Sequence, residues 1–133
     1  MTVRIGINGF GRIGRTVLRA ALTSGADVEV VAVNDITDVT TLATLLEWDS
    51  ISGHLAGVRV EGDDIVVGER RLRVFAQRDP SQIAWGDVGA DVVIESTGRF
   101  TDADSARDAI SQSSIVIVPS GRSAMICTVQ PAS

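Results

Sequence analysis

The sequence predicts an α/β fold, a doubly wound parallel sheet with a small antiparallel hairpin insertion at its edge. Three observations carry this. A β-branched run over residues 3–7 passes through a cluster of glycines into residues with helical spacing. A second apolar run, over 28–33, closes a βαβ unit of ~30 residues, the usual size of a parallel crossover. Two later apolar runs, over 91–95 and 115–118, flank another helical pattern. The resulting order, β-α-β-α-β-β-β-β-α-β, fits an open sheet covered on both faces.

Each element has its own reason. Val3 to Ile7 is apolar at almost every position, as in a strand buried on both sides. From Arg12 to Thr23, the residues Ile13, Val17, Leu18, Ala21 and Leu22 share one helix face, and Ser24-Gly25 stops the helix. The strand from Val28 ends at Asn34-Asp35. Asp38 is placed to cap a second helix running through Leu42, Leu45 and Leu46. Between Val58 and Phe75, short β-branched runs are broken by Gly62-Asp63-Asp64 and Gly68-Glu69, which predicts antiparallel hairpins at the sheet edge. Pro80 to Ile83 suits one helical turn. Asp91 to Glu95 is read as the third parallel strand. Asp102 to Ile110 is read as a helix capped by Thr101 or Asp102, and Ile115 to Val118 as a fourth buried strand. Residues 1–133 make one expected domain, with no internal repeat.

Composition narrows the class. Of 133 residues, 44% are hydrophobic and 22% charged, a balance typical of soluble globular domains. The net charge of -5 argues against a nucleic-acid partner, which normally meets a basic face. Cys127 is the single cysteine, so neither an internal disulfide nor a cysteine-rich zinc site is expected. No apolar run reaches the ~18 residues of a membrane span, so no membrane contact is expected. The opening residues already read as a strand and not as a targeting segment, and a cytoplasmic location follows as the default expectation.

The sharpest chemical signal is Gly9-Phe10-Gly11-Arg12-Ile13-Gly14. A bare Gly-x-Gly-x-x-Gly is weak, but here it leaves a strand and opens a helix, as a dinucleotide fingerprint requires. Gly9 permits the tight turn, Gly11 admits a pyrophosphate close to the backbone, and Gly14 lets helix and strand pack closely. The helix N-terminus then offers N–H groups and a positive dipole end to phosphate. The plain alternative is a glycine-rich turn without a ligand. Asp35 ends the second strand, 21 residues after Gly14, where an acidic residue hydrogen-bonds a ribose hydroxyl. A carboxylate there would repel a 2′-phosphate, which favours NAD over NADP. Asp35 also suits a turn cap, and Asn34 suits either task. Ser96, Thr97 and Gly98 follow the third predicted parallel strand, on the side where such sheets bind ligands. By themselves they are an ordinary turn sequence.

The run Arg4-Ile5-Gly6-Ile7-Asn8-Gly9-Phe10-Gly11-Arg12-Ile13-Gly14-Arg15 resembles the N-terminal signature of the glyceraldehyde-3-phosphate dehydrogenase family. So do Val31-Ala32-Val33-Asn34-Asp35, Trp48-Asp49-Ser50, Arg78-Asp79-Pro80, Trp85-Gly86 and Val93-Ile94-Glu95-Ser96-Thr97-Gly98 with Phe100-Thr101. These matches are colinear from residue 2 to about 105. The resemblance implies a Rossmann-type fold and NAD as cofactor. It implies cofactor contacts at Asn8, Gly9, Phe10, Gly11 and Gly14, and pyrophosphate contacts from the backbone of Arg12 and Ile13. It places Asp35 at the adenosine ribose with Asn34 among the cofactor-binding residues, Arg78 by the adenine, Ser96, Thr97 and Gly98 toward the nicotinamide, and Phe100 near the cofactor. It also implies the edge hairpins of 58–75.

The chain departs from the family in two ways. The nucleophilic Ser-x-x-Ser-Cys-Thr-Thr-Asn motif and the later histidine base do not occur in it. Cys127 is followed by Thr128 as in that motif, but Ile126 before it suits a buried cysteine, and His54 falls in a loop that matches poorly. From about residue 110 the likeness also fades: Ser111-Gln112-Ser113-Ser114 and Ile117-Val118-Pro119 stand where the family has other residues, and Arg99 replaces an apolar one.

Three functions follow as expectations. The first is the NAD-binding part of a glyceraldehyde-3-phosphate dehydrogenase-like oxidoreductase, incomplete for catalysis alone. The second is a stand-alone interaction, self-assembly or regulatory module on the same fold, with a homo-oligomer or a protein partner covering the face that a catalytic domain would meet. The third is an enzyme that uses Cys127 or a partner subunit.

Overall fold

The computed structural model describes residues 2–79 and 83–97, together with the backbone of 114–117 and 125–127. The chain runs through β1 (Val3–Asn8), α1 (Arg12–Thr23), β2 (Val28–Asn34), α2 (Val39–Glu47), β3 (Trp48–Asp49), β4 (Gly53–His54), β5 (Val58–Glu61), β6 (Asp64–Val67), β7 (Arg70–Phe75), β8 (Val92–Glu95), β9 (Ser114–Ile117) and β10 (Met125–Cys127). The main sheet has the order β10-β9-β8-β1-β2-β7-β6-β5. Its centre, from β9 to β7, is parallel throughout. Antiparallel strands flank it on both sides, β10 beyond β9 and the β6–β5 pair beyond β7.

One expectation needs correcting. The segment ending at Phe75 reads as edge hairpin, yet β7 is an inner strand. Its Arg73, Val74 and Phe75 pair in parallel with Ala32, Val33 and Asn34 of β2. Val92–Glu95 is therefore the fourth parallel strand in chain order. The cause of the misreading is visible in β7 itself: Leu72 is buried while Arg71 and Arg73 are exposed. That alternation belongs to a strand with one solvated face, and it resembles an antiparallel strand. The hairpins β5–β6 and β6–β7 are antiparallel as expected.

The small β3–β4 ribbon has no counterpart in the sequence reading. Trp48 and His54 pair across it, and their rings stack with centroids 4.2 Å apart. Arg19 of α1 fastens it to the helix before it. Its guanidinium donates to the carbonyls of Leu46 (2.7 Å), Gly53 (2.8 Å) and Ser52 (3.2 Å). One cation thus joins the Leu46 carbonyl in the last turn of α2, where carbonyls lack helical partners, to two carbonyls of the ribbon.

Both described helices bury their apolar stripes in one cluster. Leu18 of α1 and Leu42, Ala43 and Leu46 of α2 pack with Ile7, Val30, Val33, Ile65, Val67 and Leu72. Side chains alternate across a strand, so Gly6 faces away from Ile7. There the Trp85 ring lies directly on Gly6, and Phe75 meets Trp85 edge-on at 6.0 Å. The expected turn at 80–83 and helix at 102–110 fall, wholly or in part, outside the described residues. The strand expected over 115–118 is present as β9.

Register brings polar residues to one edge. Asn8 at the end of β1 pairs with Asn34 of β2 on one side and Glu95 of β8 on the other. The chain winds from β1 outward to β7 and then returns to lay β8 on the other side of β1. This reversal leaves a crevice beyond the carboxyl ends of the strands, where open α/β sheets take ligands.

The cap of α2 is as predicted. Asp38 accepts from the Thr41 N–H at 2.9 Å and from its hydroxyl at 2.7 Å, and these bonds hold the Asp38 carboxyl below the usual carboxylate range. A carboxyl lowered on folding adds stability above its unfolded value of 3.8 and loses it as pH falls through the folded value. Asp38→Ala is expected to lower Tm near pH 7. The gap from the unaltered chain should close as thermal melts are repeated at pH values stepped down below 3.8.

Candidate functional site

The crevice begins with a turn that only certain residues can make. Gly9 has φ +93°, and a Cβ there would sit 2.7 Å from the Thr97 backbone nitrogen. Its N–H donates to Asn34 O at 2.8 Å, while Ser96 N–H reaches Asn8 O at 2.9 Å. The Ser96 hydroxyl donates to Gly9 O at 2.7 Å. Three strand ends are thereby tied at one point. Gly14 is the second close approach, since a Cβ on it would lie 2.5 Å from Gly9 O.

Gly11 is different. Among the described residues, no neighbouring atom lies within 4 Å of where its Cβ would be. It is the N-cap of α1, with no side chain capping the helix and no acidic residue in the first turn. The first N–H groups of a helix lack intrahelical acceptors, and they carry the positive end of the dipole. Open space over uncapped N–H groups is what an anion requires.

Asp35 stands across the turn. One carboxylate oxygen accepts from Phe10 N–H at 2.9 Å and the other from Thr37 N–H at 3.0 Å. Asp35 thus caps its own turn, as one of its two sequence readings has it, and it also lines the crevice. Asn34 lines the crevice too, but its amide is engaged. Its Oδ1 accepts from Gln77 N–H at 2.9 Å, and its Nδ2 donates to Gln77 O at 3.0 Å and to Asn8 Oδ1 at 2.9 Å.

The crevice encloses about 210 Å³, lined by Asn8, Gly9, Gly11, Asn34, Asp35, Ile36, Gln77, Arg78, Ser96 and Thr97. Seven of the residues singled out in the sequence are thus joined with Arg78, and Ile36 and Gln77 are added. Arg12 is exposed and Ile13 half-buried in the first turn of α1, while the Phe10 side chain is fully buried in the core. Gly98 and Phe100 lie outside the described residues. Cys127 belongs to β10, paired with Ile115 and separated from β1 by β9 and β8. His54 is exposed on the β3–β4 ribbon, with Nε2 3.2 Å from Glu47 Oε1. No group of three or more potential metal ligands occurs among the described residues.

Sequence reasoning quoted Glu95 with Ser96, Thr97 and Gly98 but gave it no role, and the structure places it directly behind the crevice wall. It is 1% exposed, accepts from Asn8 Nδ2 at 2.7 Å, and accepts from both the N–H (3.0 Å) and the hydroxyl of Thr97. A carboxylate ending the apolar strand Val92–Ile94 was the available signal. Gln77 acts through its backbone and gave none.

The two motif glycines make contrasting predictions. Gly14→Ala forces a Cβ against backbone and is expected to cost about 1–3 kcal/mol, as overpacking does. Gly11→Ala meets no atom of the described residues and should stay within about 1 kcal/mol of the unaltered chain. Urea unfolding of the two variants checks both.

Comparison with known proteins bears on this geometry. Residues 3–103 match the family described as glyceraldehyde 3-phosphate dehydrogenase, NAD binding domain. Glyceraldehyde-3-phosphate dehydrogenase 1 of Streptomyces avermitilis is 60% identical over 108 residues, covering 80% of this chain and 32% of the relative. The enzyme of Geobacillus stearothermophilus is 57% identical over 107 residues, with the same coverage of each. That of Mycobacterium bovis is 54% identical over 129 residues, covering 90% of this chain and 38% of the relative. The chain thus spans about a third of the length of the curated relatives it matches. A crevice built by the fingerprint glycines, with an identity this high across it, has one source: the chain belongs to the glyceraldehyde 3-phosphate dehydrogenase family, as its NAD binding domain.

Proposed function

We propose that the crevice seats NAD and that the chain serves as the cofactor-binding part of an NAD-dependent, phosphorylating aldehyde dehydrogenase of the glyceraldehyde 3-phosphate type. The observation that carries this reading is the space over Gly11, open among the described residues, at the uncapped start of α1 and faced by the Asp35 carboxylate. The residues fit the group. The backbone of Gly11, Arg12 and Ile13 would take the pyrophosphate, and Asp35 the adenosine ribose hydroxyls. Arg78 would flank the adenine, with Ser96 and Thr97 toward the nicotinamide.

Bound NAD supplies the hydride acceptor of aldehyde oxidation. This chain's own residues bind and orient it. The family's cysteine motif does not occur in these 133 residues, so this reading gives them the cofactor and assigns neither the thiolate nor the general base of the aldehyde chemistry to them. Among the described residues, no helix is long and apolar enough to cross a membrane.

Isothermal titration tests the reading. NAD should bind the unaltered chain. Asp35→Ala should weaken binding about tenfold, the loss of one hydrogen bond to a charged group. NADP should bind weaker than NAD to the unaltered chain, and that preference should shrink in Asp35→Ala. A folded chain that gives no heat with millimolar NAD would sink the proposal.

A further inference from the structure

Among the described residues, the buried polar or charged side chains are Asn8, Asn34 and Glu95. They form one chain of hydrogen bonds across the sheet. Asn34 Nδ2 donates to Asn8 Oδ1, and Asn8 Nδ2 donates to Glu95 Oε2. The chain continues at both ends into the crevice walls. On one side Asn34 holds the Gln77 N–H and C=O, next to Arg78. On the other, Glu95 Oε1 holds the Thr97 N–H and hydroxyl.

The direction of this chain is fixed at its two ends. The Gln77 backbone offers one donor and one acceptor to Asn34, so the Asn34 amide fits in one orientation only. Its Nδ2 must then point at Asn8, whose Oδ1 must accept. Asn8 Nδ2 is left pointing at residue 95, where an acceptor is required. At the same time the Thr97 donors demand an acceptor from residue 95. A carboxylate satisfies both demands, and a side-chain amide at 95 satisfies only one. Buried polar chains of this kind are rigid when complete and costly when one member is wrong.

We infer that Glu95 is a positioning residue for the dinucleotide: acting through Asn8 and Asn34 it fixes the Gln77–Arg78 wall, and through Thr97 it fixes the opposite wall. Glu95 itself does not line the crevice. The inference rests on the NAD-binding reading for its functional consequence, but its physical core, transmission from β8 to Gln77, is independent of any ligand.

The test uses the full chain and two variants. Glu95→Gln keeps the shape and sets a donor against Asn8 Nδ2. The double variant Asn8→Asp with Glu95→Gln moves the carboxylate one strand along and restores a donor and an acceptor to every bond. Hydrogen exchange at the Gln77 amide is read by NMR, and NAD affinity by titration. Glu95→Gln is expected to speed Gln77 exchange at least tenfold, relative to amides of α2, and to weaken NAD about tenfold. The double variant is expected to return Gln77 exchange to within about threefold of the unaltered chain. Unchanged exchange at Gln77 in Glu95→Gln, or acceleration that persists undiminished in the double variant, overturns the inference. If Glu95→Gln fails to fold, a folded double variant supports the inference and an unfolded one overturns it. Altered exchange with unaltered NAD affinity in both variants overturns the positioning role. Failure of the unaltered chain to bind NAD is a separate result, which removes the functional proposal and leaves the exchange outcome to be judged alone.

Discussion

The site depends on how closely three stretches of backbone can approach one another. The turn after β1, the first turn of α1 and the end of β8 meet with no side chain from the turn or the helix at the two closest points. Gly9 and Gly14 are the reason, because a methyl group at either would overlap backbone atoms. The approach is then secured by hydrogen bonds from Gly9, Ser96 and the Ser96 hydroxyl. A helix N-terminus can serve as an anion site only if it is delivered to the right place. Here the delivery is steric, and electrostatics acts on the result.

Much of this was legible in the sequence, because a short-range motif encodes it. Gly9, Gly11 and Gly14 sit within six residues, and each spacing corresponds to a local contact or a local absence of one. Asp38 and its cap, and the stripe of α1, were legible for the same reason. Asp35 was legible because its distance along the chain from the glycines reflects the length of one crossover.

What escaped was set by partners far apart in sequence. Glu95 looks like a carboxylate misplaced at the end of an apolar strand until Asn8, 87 positions earlier, is brought beside it. Asn34 looks like a turn residue until Gln77 arrives. β7 was misplaced because its alternation reports which face is wet, and says nothing about the direction of its neighbours. Periodicity measures burial, whereas strand pairing is a property of the whole sheet.

The winding of the sheet has a consequence for synthesis. A chain made from its N-terminus completes β1, α1 and β2 early, and these can pair at once. The other side of β1 waits for β8, which begins at Val92. Among the described strand pairs this one spans the longest stretch of chain, so it carries the largest loop-closure cost. Until β8 emerges, an apolar central strand has an open edge of unpaired N–H and C=O groups, the kind of surface that invites wrong partners. The reversal that creates the crevice therefore also makes its completion one of the later events in the life of the nascent chain.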